Sequence, residues 1–154
     1  MRRFNVLSDE LPSRQDRPGF AWRGRRGVAS EAGLGWLGAS VYELAAGQSA
    51  FPYHYHHGVE EWLYVVAGAP TLRDPAGERE LSPGDLVCFP SGPDGAHAVR
   101  GPGRVMMFSG VQSTGAASVS VYPDSDKVGV RPPGGGPDRL DFRRRDGVDY
   151  WEGE

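Results

Sequence analysis

Apolar residues in this chain fall in short runs, not in long periodic stretches. Residues 36–44, WLGASVYEL, are apolar and rich in β-formers, as a strand requires. Residues 52–56 are short and aromatic. Residues 61–67, EWLYVVA, carry the strongest strand signal, and Gly68 ends it. Residues 70–73, 78–81, 86–89, 97–100, 104–108 and 119–122 continue the series. Between them lie turn clusters: Asp74-Pro75-Ala76-Gly77, Pro83-Gly84-Asp85, a Gly/Pro-rich loop at 90–95, and Gly101-Pro102-Gly103. No stretch keeps apolar spacing at the helical period for three turns. Short strands with regular turn signals predict a sandwich or barrel.

The two ends differ from this middle. Residues 1–35 are rich in Arg, Gly, Pro and Ser, with isolated Phe4, Phe20 and Trp22. They read as an arm lying on a body that spans 36–123. Residues 124–154 lose hydrophobicity. Their run Pro132-Pro133-Gly134-Gly135-Gly136-Pro137 reads as a flexible linker, followed by a tail in which residues 148–151 could form a docking strand.

Composition narrows the class. A chain of 154 residues suits one domain with a core of its own. Its 23 glycines and 13 prolines fit many turns between short strands. The net charge is −3. Arginine exceeds acid in the arm, and acid exceeds arginine in the middle. No strong basic patch predicts nucleic-acid binding, and the Arg23, Arg25 and Arg26 cluster reads as a solvated arm or an inter-chain salt bridge, with an anion or nucleic-acid contact as the alternative. Cys88 is the single cysteine, so no internal disulfide forms. No apolar stretch has signal-peptide or membrane-spanning length. A cytoplasmic protein without membrane partners is the expectation.

The histidines are not scattered. Of four, three are His54, His56 and His57, and the fourth, His97, ends the second Gly/Pro-rich loop. Residues i and i+2 of a strand share a face, so His54 and His56 can address one ion. Glu61 opens the next strand on the face of Leu63, Val65 and Ala67, and Trp62 and Tyr64 take the other. Three imidazoles and a carboxylate suit one divalent transition metal: Zn, Fe, Mn, Ni, Co or Cu. A metal preferring more ligands would keep a position open for water or substrate. His57 points away and reads as surface or supporting.

These residues resemble the cupin pattern. Gly47, His54-Tyr55-His56, Glu61 and Gly68 match the first cupin motif, with a slightly long first spacer. Gly84, Pro90-Ser91-Gly92 and His97 match the second, with Gly101 where the family has Asn. Both Glu60 and Glu61 fit the spacing from His56, but only Glu61 leaves six residues to Gly68. The resemblance covers about residues 36–123. It implies an all-β, jelly-roll β-barrel with the metal inside and an N-terminal arm and C-terminal tail outside. It also implies a homodimer.

Other positions are weighed by type. Cys88 reads as a small buried filler. Tyr42, Tyr53, Met107 and Phe108, with Trp36, are candidates to line a substrate pocket. Trp62 and Tyr64 are expected to pack between sheets or in a dimer interface. There is no lysine before Lys127, which excludes a Schiff base within the barrel. With the metal claiming all but one histidine, a Ser-His-Asp hydrolase is not expected. The resemblance implies a metalloenzyme for a small polar organic molecule, as dioxygenase, isomerase or epimerase, or decarboxylase. A non-catalytic binder of a sugar or metabolite is the alternative.

Overall fold

The structure is a computed structural model and describes residues 2–110, 117–132 and 138–154. Among the described residues, thirteen strands form three sheets in which every pairing between strands is antiparallel. The largest sheet has the order β1 (Ser13–Arg17), β2 (Phe20–Arg25), β3 (Gly38–Leu44), β10 (Gly103–Ser109), β5 (Glu61–Gly68) and β8 (Leu86–Phe89). A second runs β13 (Leu140–Arg143), β12 (Lys127–Arg131), β11 (Ser118–Tyr122) and β4 (Tyr55–His57). The third is β7 (Gly77–Glu80), β6 (Thr71–Asp74) and β9 (Ala98–Arg100).

The period-two pattern of β5 decides what lies inside. Leu63 and Val65 are fully buried, whereas Trp62 and Tyr64 are exposed on the outer face. Leu63 is in register with Met107 on β10 and Val87 on β8. Together with Leu72, Leu81, Phe89, Val99 and Val105, these residues form one core shared by the largest and the three-stranded sheets. Burying an aliphatic side chain of this size contributes about 1.5–3 kcal/mol, so this core is the main stabiliser of the barrel.

Two glycines are required by close approach. Gly68 has φ 83°, and a Cβ there would lie 2.6 Å from Gly103 Cα. At Gly101 a Cβ would meet Ala45 O and would lie 2.6 Å from Leu44 O. The backbone therefore leaves no room for the Asn that the resemblance leads one to expect there.

The ends of the chain are more structured than their composition suggests. Residues 13–25 form a hairpin that continues the largest sheet through Gly24↔Tyr42. A single helical turn, α1 (Val28–Glu31), packs its buried Ala29 near β3, whose Ala39 and Val41 are also buried. At the other end, β12 and β13 widen the second sheet. Residues 148 and 149 are irregular and 150–153 form a turn instead of a strand, and Val148, Tyr150 and Trp151 are exposed. Residues 133–137 of the expected linker lie outside the described residues. Cys88 is exposed, contrary to the buried reading. It faces outward in register with Trp62, because β8 is an edge strand whose inward positions belong to Val87 and Phe89. No helix among the described residues is long and apolar enough to cross a membrane.

Candidate metal centre

Four side chains converge from separate elements. His56 sits in the middle of β4, in register with Ser120 on β11. His54 precedes that strand and forms an isolated antiparallel bridge with His97. Two backbone bonds close this bridge, His54 N–H to His97 O at 3.1 Å and His97 N–H to His54 O at 2.8 Å. The two sequence motifs are therefore clamped together at the residues that matter. Glu61 begins β5, between Ser109 of β10 and Phe89 of β8.

The ring nitrogens are oriented from behind. His54 Nδ1 lies 2.9 Å from Pro52 O, and His97 Nδ1 lies 2.9 Å from Gly95 O. A carbonyl only accepts, so each Nδ1 carries the proton and each Nε2 presents a lone pair. His56 Nδ1 lies 3.0 Å from the Ser120 hydroxyl, which can accept the same way. All three Nε2 atoms face one point. His54 Nε2 and His56 Nε2 are 3.0 Å apart. Glu61 Oε2 lies 3.2 Å from His56 Nε2, 3.4 Å from His97 Nε2 and 3.9 Å from His54 Nε2.

Aromatic rings hold the cluster in a dry setting. Phe89 stacks on His97 at 3.8 Å between centroids, and Phe51 meets both His54 and His97 edge-on. Tyr122 stacks on His54 at 5.6 Å. Burial, and then the neighbouring His97 and His56, pushes the His54 ring from 6.5 down to about 3. Burial also lowers His97. For Glu61 burial pushes upward, but the His56 ring beside it and the other imidazoles outweigh that and hold the carboxyl below its ordinary value. Neutral His54 and His97 imidazoles beside an ionised Glu61 are the protonation states that a metal requires of these ligands.

The residues fit a metal. Glu61 Oε2 and His97 Nε2 are buried with no hydrogen-bond partner, and such groups each cost about 1–3 kcal/mol when left unpaired. Imidazole nitrogen and carboxylate oxygen bind a dication at about 2.0–2.2 Å, which sets neighbouring ligand atoms about 3.0–3.5 Å apart. Three of the four measured separations fall in that range. His54, His56 and Glu61 have ligand atoms that all lie within 4.8 Å of one another, and His97 joins them through Glu61. The spacing of the sequence does not point to Ser120, Pro52 O or Gly95 O. A carbonyl has no side-chain signature, and Ser120 is far away in sequence.

The expected pocket residues divide. Tyr42 and Tyr53 line a cleft of about 690 Å3 between the β1–β2 hairpin and β12–β13, and Phe51 and Tyr122 form part of its wall. The four ligand side chains lie behind that wall. Met107 faces inward but is buried in the core. Phe108 points to the outer face, where it lines an apolar groove of about 520 Å3 with Leu37, Trp62, Tyr64 and Leu86. Strand alternation places these two neighbours on opposite faces, so they cannot share one pocket. Trp36 is exposed, and so is His57.

Comparison with known proteins follows this geometry. Residues 40–109 match the family model for the cupin domain. No curated protein matches the sequence. Among solved structures, the chain is similar to a protein of Acidithiobacillus ferrooxidans described as a sugar phosphate isomerase. Identity is 23%, 88% of this chain and 86% of that one are covered, and the TM-score is 0.75. A sugar phosphate isomerase of the cupin superfamily from Silicibacter pomeroyi matches at 22% identity over 96% of both chains, with a TM-score of 0.75. A salicylate 1,2-dioxygenase from Pseudoaminobacter salicylatoxidans matches at 18% identity over 64% of this chain and 27% of that one, with a TM-score of 0.52. At these identities the likeness is one of fold, a jelly-roll of β-strands. The matched segment, residues 40–109, carries both motifs and runs from within β3 to the end of β10, and over it the chain is similar to cupin domains.

Proposed function

We propose that this protein holds one divalent transition metal with His54, His56, Glu61 and His97 and uses it on a small polar organic molecule. One observation carries the reading: three inward Nε2 atoms surround a carboxylate oxygen, and two of the four ligand atoms are buried without partners. The bound metal would supply Lewis acidity or an oxygen-binding centre. Pro52 O, Gly95 O and Ser120 would hold the rings in the ligating tautomer. Two of the solved structures similar over most of their length are described as sugar phosphate isomerases, which makes aldose–ketose interconversion the first reaction to assay.

Elemental analysis tests the metal. Protein purified without added metal should contain about one divalent ion per chain, and His54→Ala should lose it. Trace metal in the wild type, unchanged by the substitution, would end the reading. Turnover that depends on that ion would establish the enzyme. A second reading, a non-catalytic binder, is favoured by the wall of Phe51 and Tyr122 between the cleft and the ligand atoms. Binding of a sugar to the metal-loaded protein without turnover would select it.

The exposed Trp62, Tyr64 and Leu86 on the outer face support a homodimer, and the lone unpaired Cys88 supports a cytoplasmic setting. Trp62→Lys with Leu86→Lys should shift the protein from dimer to monomer in analytical ultracentrifugation. An unchanged sedimentation coefficient would place the interface elsewhere.

A further inference from the structure

The cleft beside the metal centre has a charge opposite to that of the protein. The chain carries a net −3, yet the charged side chains lining the cleft are Arg17, Arg26, Lys127, Arg131 and Arg139 against Asp124 and Asp141. Both acids are already engaged. Asp124 accepts from Arg73 at 2.6 and 3.0 Å, and Asp141 pairs with Arg139 at 2.8 Å. Among the described residues, Arg17, Arg26, Lys127 and Arg131 make no ion pair. Four uncompensated cations therefore border one concavity.

Their placement follows from strand register. On β1, Arg17 lies on the face of Gln15, which pairs with Trp22. Arg26 follows β2 on the face of Trp22 and Gly24. Across the cleft, Lys127 and Arg131 share the face of Gly129 on β12, which pairs with Ser120 and thus faces the same side as His56. Two cations come from each wall. Between them lie the rings of Phe20, Trp22, Phe51 and Tyr122, and Lys127 Nζ stands 5.1 Å from the centre of the Tyr122 ring.

Like charges gathered in a cleft repel one another, and the low-dielectric walls focus their field outward onto an approaching anion. The geometry points to a small organic phosphate as the ligand of this cleft. A phosphoryl group carries about −1.5 to −2 charges at pH 7 and offers oxygens that match the arginine fork. The aromatic wall fits the organic part. A cleft of about 690 Å3 has the size of a small-molecule site. This assignment deepens the proposed function by naming the substrate class, but it does not depend on the metal.

Calorimetric titration at fixed ionic strength tests it, with inorganic phosphate, glucose 6-phosphate and glucose as probes. Each is run on the metal-loaded and the chelated protein. Phosphate and glucose 6-phosphate should bind in both forms, and glucose at least about tenfold more weakly. Arg26→Gln with Arg131→Gln should weaken glucose 6-phosphate on the order of tenfold or more. Arg17→Gln with Lys127→Gln provides the same test from the other end of each wall. Arg144→Gln, outside the cleft, should leave affinity unchanged. Equal binding of glucose and glucose 6-phosphate, no binding of either phosphate, or equal weakening by Arg144→Gln would overturn the assignment. Metal bound without phosphate affinity defeats the cleft alone, and phosphate affinity without bound metal defeats the metal reading alone.

Discussion

The ligand cluster and the cleft beside it each gather side chains of one chemical kind, but they handle the resulting strain in opposite ways. In the cluster, burial keeps His54 and His97 neutral, backbone carbonyls fix their tautomers, and Phe89 and Phe51 exclude water. The rings are held in place before any ion arrives. In the cleft, the cations Arg17, Arg26, Lys127 and Arg131 stand on two separate walls. Among the described residues none of them makes an ion pair, so water and salt moderate their repulsion. A dry, prearranged set gains its energy from coordination, whereas a wet, adaptable one gains it from charge neutralisation. The two should therefore respond differently to substitution, acid and salt.

The largest difference is expected on removing a ligand. His97→Ala or Glu61→Ala should reduce bound metal from about one ion per chain to near zero, measured by elemental analysis after dialysis. The double substitution Arg26→Gln with Arg131→Gln should leave metal content untouched. Loss of metal in the cleft variant would merge the two regions into one. Next in size is Ser120→Ala. Removing the partner of His56 Nδ1 should weaken metal binding about 10- to 100-fold, read by competition with a chromophoric chelator, and Ser120→Thr should restore most of it.

Acid separates the regions further. The His54 ring titrates near 3 in the folded protein and near 6.5 in the unfolded chain. Between those values the unfolded state takes up a proton that the folded state refuses. Stability from this group is therefore present above pH 6.5 and lost as pH falls toward 3. Urea midpoints of the chelated protein should drop between pH 7 and pH 4, and less steeply in His54→Gln. A midpoint unaffected by pH in both proteins would contradict the buried, neutral assignment. The smallest effect concerns the cleft without ligand. Removing like charges there should shift stability by no more than about 0.5 kcal/mol, with the shift vanishing at high salt. A larger, salt-independent loss would mean that these arginines hold the fold together.

What the sequence conveys about these regions differs for physical reasons. His54-x-His56, Glu61 and Gly68 can be read directly, because a period-two strand turns residue spacing into shared direction. The same alternation in β5 separates Leu63 from Trp62. The cleft cannot be read that way. Its cations lie at positions 17, 26, 127 and 131, and only the pairing of β1–β2 with β3, and of β12 with β11, brings them to one cavity. β1, SRQDR, is polar throughout and has no alternating apolar face to mark it as a strand. β13, LDFR, is exposed at every position. Edge strands like these are held by backbone bonds to a neighbour, which leaves little trace in side-chain pattern. Cys88 and Phe108 show the converse limit. Both are apolar residues in good strands, and only their parity relative to Glu61 places them outside.

Anomalous diffraction tests the central claim most directly. Crystals of protein loaded with zinc or iron, measured on both sides of the metal's absorption edge, should show one strong peak per chain. It should lie within bonding distance of His54 Nε2, His56 Nε2, His97 Nε2 and Glu61 Oε2. A peak at another group of residues, or none among these four atoms at saturating metal, would contradict it.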